Sequence, residues 1–207
     1  RLHTSLTPAT IEDYDGMARI ATELEMPLGM AYYMFPSVRR GDPSLNQEFR
    51  FDACTAGQVK FRYTRDSLIR KEFERVLREM PGQLRNYKEY PYYGYDRISC
   101  RAGLSTFWVN WKGELLPCGM METPAVDLEK MNFDLAWEEL KRKRDAVHIC
   151  EECACCDKRQ HCNVCAASIY AETGAYNGQK PQYLCSLTEE YICHMEKERE
   201  KRYGKTV

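Results

Sequence analysis

Residues 150–165 read Cys150-Glu-Glu-Cys153-Ala-Cys155-Cys156-Asp-Lys-Arg-Gln-His-Cys162-Asn-Val-Cys165, which places six cysteines within sixteen residues. Cysteines at this density form either a disulfide network or a metal site. Disulfide scaffolds are usually short, secreted proteins with an even number of cysteines, whereas this chain has 207 residues and 11 cysteines. The segment therefore predicts a metal site, with a loop-rich region folded around it.

The overall composition narrows the classes of function. The chain has 30 basic and 31 acidic residues and a formal net charge of −1, so it lacks the positive charge that attracts nucleic acid or an anionic membrane surface. No apolar run approaches the ~18–20 residues of a transmembrane helix. We therefore expect a cytoplasmic protein with no nucleic-acid partner and no membrane partner. Because the chain begins with Arg1 rather than Met, we also expect a piece of a longer protein.

The N-terminal residues predict a helix followed by a strand of a parallel sheet. Thr7 and Pro8 suit the cap and the first position of a helix, and an apolar stripe follows at Ile11, Tyr14, Ala18, Ala21 and Leu24. Residues 27–35 are mostly apolar, as in a strand buried on both faces. Arg39 and Arg40 come just after it, where strands of α/β barrels end at ligand sites. They are therefore candidate cofactor-binding residues, with a solvated loop as the alternative.

The middle of the chain predicts a helical connector. Residues 41–64 are polar and irregular, and an amphipathic helix is predicted from Asp66 to Met80, before Pro81 and Gly82. Its apolar face consists of Leu68, Ile69, Phe73, Val76, Leu77 and Met80. Residues 87–95 contain five tyrosines. We interpret them as a packed linker, with the lining of a substrate groove as the alternative.

Short elements are predicted on either side of the cysteine-rich segment. Residues 106–117 indicate a β-hairpin, and Cys118 follows its second strand. A helix is predicted over residues 133–147, with Phe133, Trp137, Leu140 and Val147 facing inward.

The last helix is predicted to begin at Ser186. Glu189 stands three residues later and would complete a capping box with Ser186. Residues 196–207 are rich in charge, and we interpret them as a charged tail.

Seven of the cysteines follow one pattern of spacing. A Cys-x2-Cys pair brings two thiolates to one metal through a tight turn. The cysteine-rich segment contains Cys153-x2-Cys156-x5-Cys162-x2-Cys165, whereas a pattern that begins at Cys150 would put Arg159 at the third ligand position. Elsewhere, the remaining members are Cys100-x12-Gly113-x4-Cys118, which spans the predicted hairpin, and Cys185.

This order of cysteines resembles the SPASM domain, the C-terminal extension of radical SAM enzymes that modify peptides. The similarity runs from Cys100 to Cys185 and includes the hairpin sequence Phe-Trp-Val-Asn-Trp-Lys-Gly-Glu-Leu-Leu-Pro-Cys. One difference is the gap between Cys162 and Cys165, which has two residues where the domain usually has three. Residues 33–40 resemble the last barrel strand of such enzymes.

The resemblance implies an α+β fold. The end of a partial (β/α) radical SAM barrel would be followed by a loop-rich SPASM domain, in which a β-hairpin and helices surround two iron–sulfur clusters. The implied boundaries are residues 1–42 for the barrel remnant, 43–95 for the helical connector, 96–195 for the SPASM domain and 196–207 for the tail.

The resemblance also implies two auxiliary 4Fe–4S clusters. One set of three ligands is Cys100, Cys118 and Cys165, and the other set is Cys153, Cys156, Cys162 and Cys185. We name them the three-cysteine site and the four-cysteine site. The fourth ligand of the three-cysteine site would be water, the substrate, or one of the unassigned cysteines, with Cys150 and Cys54 as candidates. Cys155 and Cys193 have no assigned role.

The complete enzyme is implied to be an oxidoreductase that uses S-adenosylmethionine and a third 4Fe–4S cluster held by a Cys-x3-Cys-x2-Cys motif. That motif does not occur in the 207 residues, so we expect it upstream of Arg1 and expect this piece to be inactive alone. The auxiliary clusters would transfer electrons and bind a peptide or protein substrate. A flavodoxin or a ferredoxin would be the reductant.

A zinc-binding structural or interaction module is the alternative function. Cysteine pairs bind zinc in many non-catalytic domains, and His148 and His161 stand beside the cysteine-rich segment. However, the sequence lacks a second pair about 15–20 residues after the first, as zinc ribbons have. Iron and sulfide content would separate the two alternatives.

Overall fold

The computed structural model describes residues 1–36, 47–83 and 96–204. These residues form helices and short strands, in agreement with an α+β class. The helices are α1 Tyr14–Glu23, α2 Ala53–Ser67, α3 Arg70–Gln83, α4 Phe133–Asp145, α5 Glu151–Ala154, α6 Ala166–Thr173 and α7 Gln182–Tyr203. The strands are β1 Leu2–Ser5, β2 Leu28–Ala31, β3 Trp108–Val109, β4 Glu114–Leu116 and β5 Val126–Asp127.

The N-terminal part is a parallel pair of strands with a helix between them. β1 pairs with β2 in parallel, and Leu2 lies opposite Leu28, so the prediction of a parallel strand after the first helix is confirmed. The helix begins later than predicted: Thr7 donates its N–H to Thr10 Oγ1 within a turn instead of capping the helix. Leu24, expected on the buried stripe, is 57% exposed.

The prediction that residues 41–64 are irregular is wrong, because they contain the start of α2. Asp52 caps this helix and accepts a hydrogen bond from the Thr55 N–H at 2.9 Å. Gly57 lies against α7 so closely that an added Cβ would be 2.6 Å from the Leu187 carbonyl oxygen. α2 is therefore held by helix packing in the middle of the molecule.

The second predicted helix exists but is displaced. It begins at Arg70 rather than Asp66 and includes Pro81. Ile69 is 70% exposed. The buried apolar residues of α3 pack against α7 in one cluster, formed by Phe73, Leu77, Met80, Tyr191, Ile192 and Met195.

α7 is longer than predicted at both ends. It begins at Gln182 after Pro181, so Ser186 lies inside the helix and the predicted capping box is wrong. It continues to Tyr203, so most of the predicted charged tail is helical. Consequently Cys185 lies in the first turn of a helix rather than in a loop.

The predicted hairpin is confirmed and gains a third strand. β3 pairs with β4 and β4 pairs with β5, both antiparallel, and Gly113 supplies the turn with a φ of 74°. α4 begins after its cap Asn132 and covers the sheet, although Phe133 is 45% exposed. The core between them consists of Leu115, Val126, Ala136 and Leu140.

Two of the predictions fall outside the described residues. Arg39 and Arg40 belong to residues 37–46, and the tyrosine-rich stretch belongs to residues 84–95. The domain boundaries remain predictions. Among the helices of the described residues, none combines the length and the apolar character that crossing a membrane requires.

Candidate metal centre

One cavity of about 220 Å³ lies between the cysteine-rich segment and the first turns of α7. Its walls include Cys153, Cys156, Cys162 and Cys185. These four residues are the four-cysteine site that the resemblance implies, and the structure brings them to a single cavity.

Three local structures place these cysteines. Cys153 lies in α5, where its N–H donates to the Cys150 carbonyl at 3.1 Å. Cys162 ends a turn in which its N–H donates to the Arg159 carbonyl at 3.3 Å. Cys185 lies in the first turn of α7 and donates its N–H to the Pro181 carbonyl at 3.1 Å.

Burial favours the protonated form of three of the cavity thiols, those of Cys153, Cys156 and Cys185. Burial raises the pKa of Cys153, and a hydrogen bond with Cys150 raises it further. Burial raises the pKa of Cys185 to about 11, with Cys162 adding to the effect, and burial also raises the pKa of Cys156. Because metals bind thiolates, a metal that entered this cavity would displace protons.

The other walls of the cavity are apolar or charged, and they include acidic residues, Glu152, Asp157 and Glu189, as well as cationic ones. Lys158 pairs with Glu189 at 2.6 Å, and Arg159 donates from Nη1 to the Val164 carbonyl at 2.5 Å. Arg159 is only 6% exposed. The apolar and remaining cationic lining residues are Val164, Pro181, Leu184 and Lys180. The charges around the thiols are therefore mixed, and among the six charged lining residues Arg159 is the one that is buried.

A threonine also lines the cavity, and its hydroxyl is not used by the protein. Thr188 is 2% exposed, and its Oγ1 is buried without a hydrogen-bond partner among the described residues. The sequence did not single out this residue. Its position three residues after Cys185 on a helix is the signal that could have identified it.

Lys60 is a buried cation behind the Cys162 turn. It is 6% exposed and donates from Nζ to the His161 carbonyl, with its ammonium 4.4 Å from the centre of the Tyr191 ring. Burial lowers the pKa of Lys60 to about 8, while the charge of Cys162 opposes that decrease. Lys60 was not predicted, because α2 itself was not.

Two of the three cysteines in the three-cysteine site have similar surroundings. Cys118 Sγ accepts the Met120 N–H at 3.4 Å, and Cys165, the cap of α6, accepts the Ser168 N–H at 3.5 Å. Both pack against the apolar cluster that contains Cys150 and Cys153.

Cys100, the third member, is exposed. Its loop is fixed by the buried Arg144, which donates to the carbonyls of Cys100 at 3.1 Å and Ala102 at 2.9 Å. In the described part of the chain, Cys100 does not belong to the apolar cluster that holds Cys118 and Cys165.

The unassigned cysteines lie in three different places. Cys150 is buried beside Cys153, and Cys155 caps the C-terminus of α5. Cys54, on α2, accepts a hydrogen bond from Gln58 at 3.8 Å, and Cys193 lies on α7.

The two histidines considered for zinc have different environments. His148 Nδ1 lies 3.0 Å from Asp96 Oδ2. His161 is 8% exposed, and burial lowers its pKa, with the charge of Lys60 lowering it further.

Over residues 1–36, 47–83 and 96–204, no group of three or more His, Cys, Asp or Glu residues is arranged to hold a metal ion.

Comparisons with known proteins do not assign the chain to a family: no protein-family model matches it, and neither does a curated protein or a solved structure.

Proposed function

We propose that this chain is the C-terminal part of a radical SAM oxidoreductase that modifies a peptide or protein side chain. Its cysteine-rich region would be a SPASM domain with two auxiliary 4Fe–4S clusters. The observation that carries the proposal is the cavity lined by Cys153, Cys156, Cys162 and Cys185, because the resemblance implies the same four residues as one ligand set.

The residues around this cavity fit a cluster better than a zinc ion. A zinc ion binds thiolates at about 2.3 Å, so four cysteines that held one would nearly touch. Here they line a cavity of about 220 Å³, whereas a single water molecule needs only about 10–15 Å³ of such space. The buried Arg159 and the unpartnered Thr188 hydroxyl supply positive charge and a hydrogen-bond donor toward an anion.

Each site would have its own set of protein ligands. Cys153, Cys156, Cys162 and Cys185 would hold one cluster, and Cys100, Cys118 and Cys165 would hold the other. When bound, such clusters supply one-electron redox chemistry. The chain's own residues would bind and orient them, and the N–H groups of Met120 and Ser168 would stabilise the thiolate charge of Cys118 and Cys165. A flavodoxin or ferredoxin would be the reductant, and S-adenosylmethionine would bind with the third cluster.

The three-cysteine site would leave one iron open to water or to a substrate thiolate. Cys150 is a poor candidate for closing it, because its thiol interacts with Cys153 of the other site. Cys54 is exposed on α2. The electron paramagnetic resonance (EPR) spectrum of the reduced protein should therefore change when a cysteine-containing peptide is added. An unchanged spectrum, together with loss of a cluster in Cys150→Ala, would contradict an open iron.

Metal analysis tests the proposal directly. Protein that is purified anaerobically and reconstituted should bind close to eight irons and eight sulfides, as expected for two 4Fe–4S clusters, and should be brown. Stoichiometric zinc without iron uptake would support the zinc-binding module instead.

Single substitutions test the four-cysteine site. Cys153→Ala, Cys156→Ala or Cys185→Ala should each remove about half of the iron, because the cluster needs its complete ligand set. Cys155→Ala is the matched control, since Cys155 is adjacent to Cys156 and caps α5. It should keep all of the iron, and an equal loss of iron in this variant would show that the ligand assignment is wrong.

A further inference from the structure

One wall of the cysteine-lined cavity is a face of α7. Leu184, Cys185, Thr188 and Glu189 line the cavity from this helix. Their spacing of three and four residues is that of one helix face. Thr188 therefore lies one turn after the cysteine ligand Cys185, on the side that the cavity occupies.

The hydroxyl of Thr188 differs from those of other helical threonines in the chain. Thr22, Thr64 and Thr173 donate to the carbonyl four residues earlier, at 3.0, 2.8 and 2.8 Å. This is the usual local bond of threonine in a helix. Thr188 is buried to the same or greater extent, yet its Oγ1 has no partner in the described part of the chain. The hydroxyl proton is therefore available to a group in the cavity.

We propose that Thr188 donates this hydrogen bond to a sulfur of the cluster in the four-cysteine site, and that it raises the reduction potential of that cluster. The inference rests on the function proposed above. A hydrogen bond to a charged acceptor strengthens as the negative charge increases, and the reduced cluster carries one more negative charge than the oxidised cluster. Hydrogen bonds to the sulfurs are among the factors that set the potentials of iron–sulfur clusters.

Two substitutions separate the hydroxyl from the shape of the side chain. Thr188→Val keeps the branched shape and removes the donor, whereas Thr188→Ser keeps the donor. Both variants and the wild type are reconstituted anaerobically and titrated with a reductant while the EPR signal is followed. Thr188→Val should retain its iron, show a more negative midpoint potential and lose an exchangeable-proton coupling in pulsed EPR. Thr188→Ser should keep the wild-type potential and the coupling.

Thr64→Val is the matched control, because the Thr64 hydroxyl already donates to the Lys60 carbonyl. It should lower the thermal midpoint of the metal-free protein without shifting the potential. Thr188→Val should not lower that thermal midpoint, since the protein does not use its hydroxyl.

Each outcome of this experiment decides the inference. A wild-type potential in Thr188→Val, an equal shift in Thr188→Ser, or loss of the cluster from both variants would overturn it. Loss of the cluster from Thr188→Val alone would support it. Wild-type protein that takes up no iron would instead contradict the proposed function itself.

Discussion

At the residue scale, Lys60 shows how a charge can be buried to shape the cysteine-rich segment. Its ammonium donates to the His161 carbonyl and lies against the Tyr191 ring, so it fixes the turn that precedes Cys162. In the described part of the chain, Lys60 makes no ion pair with a carboxylate. Burial accordingly lowers its pKa from 10.5 to about 8, because the charged form loses hydration.

The lowered pKa of Lys60 predicts a pH dependence of stability. Between about 8 and 10.5 the folded protein has released the Lys60 proton while the unfolded chain still binds it. The free energy of unfolding of the metal-free protein should therefore rise with pH across this window. The full contribution is on the order of 3 kcal/mol. Below about 8, both states are protonated and the contribution is constant.

Urea unfolding of wild type and Lys60→Met under anaerobic conditions measures this effect as a difference. The cysteines titrate in both proteins, so only the Lys60 contribution separates the two curves. Lys71→Met removes an exposed lysine on α3 and should follow the wild type. Parallel curves for wild type and Lys60→Met would mean that the Lys60 pKa is not lowered.

At the scale of elements, the packing of α2 on α7 positions the cavity, because α7 carries Cys185 and Thr188. The two helices are in tight contact at Gly57, where an added Cβ would meet the Leu187 carbonyl at 2.6 Å and the Tyr191 nitrogen at 3.0 Å. Both neighbours are backbone atoms, so a larger side chain cannot be accommodated by a rotamer change.

Gly57→Ala should therefore destabilise the protein although alanine favours helices. We expect a loss of about 1–3 kcal/mol from overpacking, which lowers the thermal midpoint by several degrees in a protein of this size. Gly16→Ala in α1 is the matched control, since its Cβ would meet nothing within 4 Å. It should be neutral or stabilising by up to about 1 kcal/mol. Equal behaviour of the two variants in thermal unfolding would contradict the close approach.

The elements that the sequence predicted well are those with a local signal. The hairpin has its Lys112-Gly113 turn. The four cysteines that line the cavity were grouped by the resemblance rather than by a local signal. α2 was missed because its buried positions include Gly57 and Lys60. Burial of these two residues in a helix is favourable only because α2 packs against α7. Likewise, Ser186 and Glu189 form a good cap on their own, but packing extends α7 back to Gln182. Tertiary packing overrides local propensity in both cases.

At the scale of the whole molecule, a buried polar network joins the N-terminal sheet to the cysteine-rich region. The Tyr33 hydroxyl follows β2 and donates to Glu172 Oε1 on α6 at 2.7 Å, and Arg50 Nη1 donates to the same oxygen at 2.8 Å. The side chains of Arg50 and Glu172 are 12% and 7% exposed. Burial and the negative charge of Glu172 both raise the pKa of Tyr33. The phenol therefore remains protonated and keeps donating.

This network places the end of β2 beside α6, whose N-terminal cap is Cys165 of the three-cysteine site. The charge of Cys165 also acts on Tyr33. The sequence could not reveal this connection, because Tyr33 and Glu172 are separated by 139 residues and neither stands in a recognisable motif.

Glu172→Gln should destabilise the chain more than any single exposed ion pair would. It leaves Arg50 buried without its counter-charge, and breaking a buried pair by removing one partner costs about 3–5 kcal/mol. Glu138→Gln is the control, because Glu138 is 71% exposed in its pair with Lys141 and should change stability by less than about 1 kcal/mol. Urea unfolding followed by tryptophan fluorescence measures the stability of both variants.

In the double variant Arg50→Met/Glu172→Met, the loss of stability should be smaller than in Glu172→Gln, since no buried charge is left unpaired. A double variant that is less stable than Glu172→Gln would show that packing, rather than charge pairing, joins the two regions.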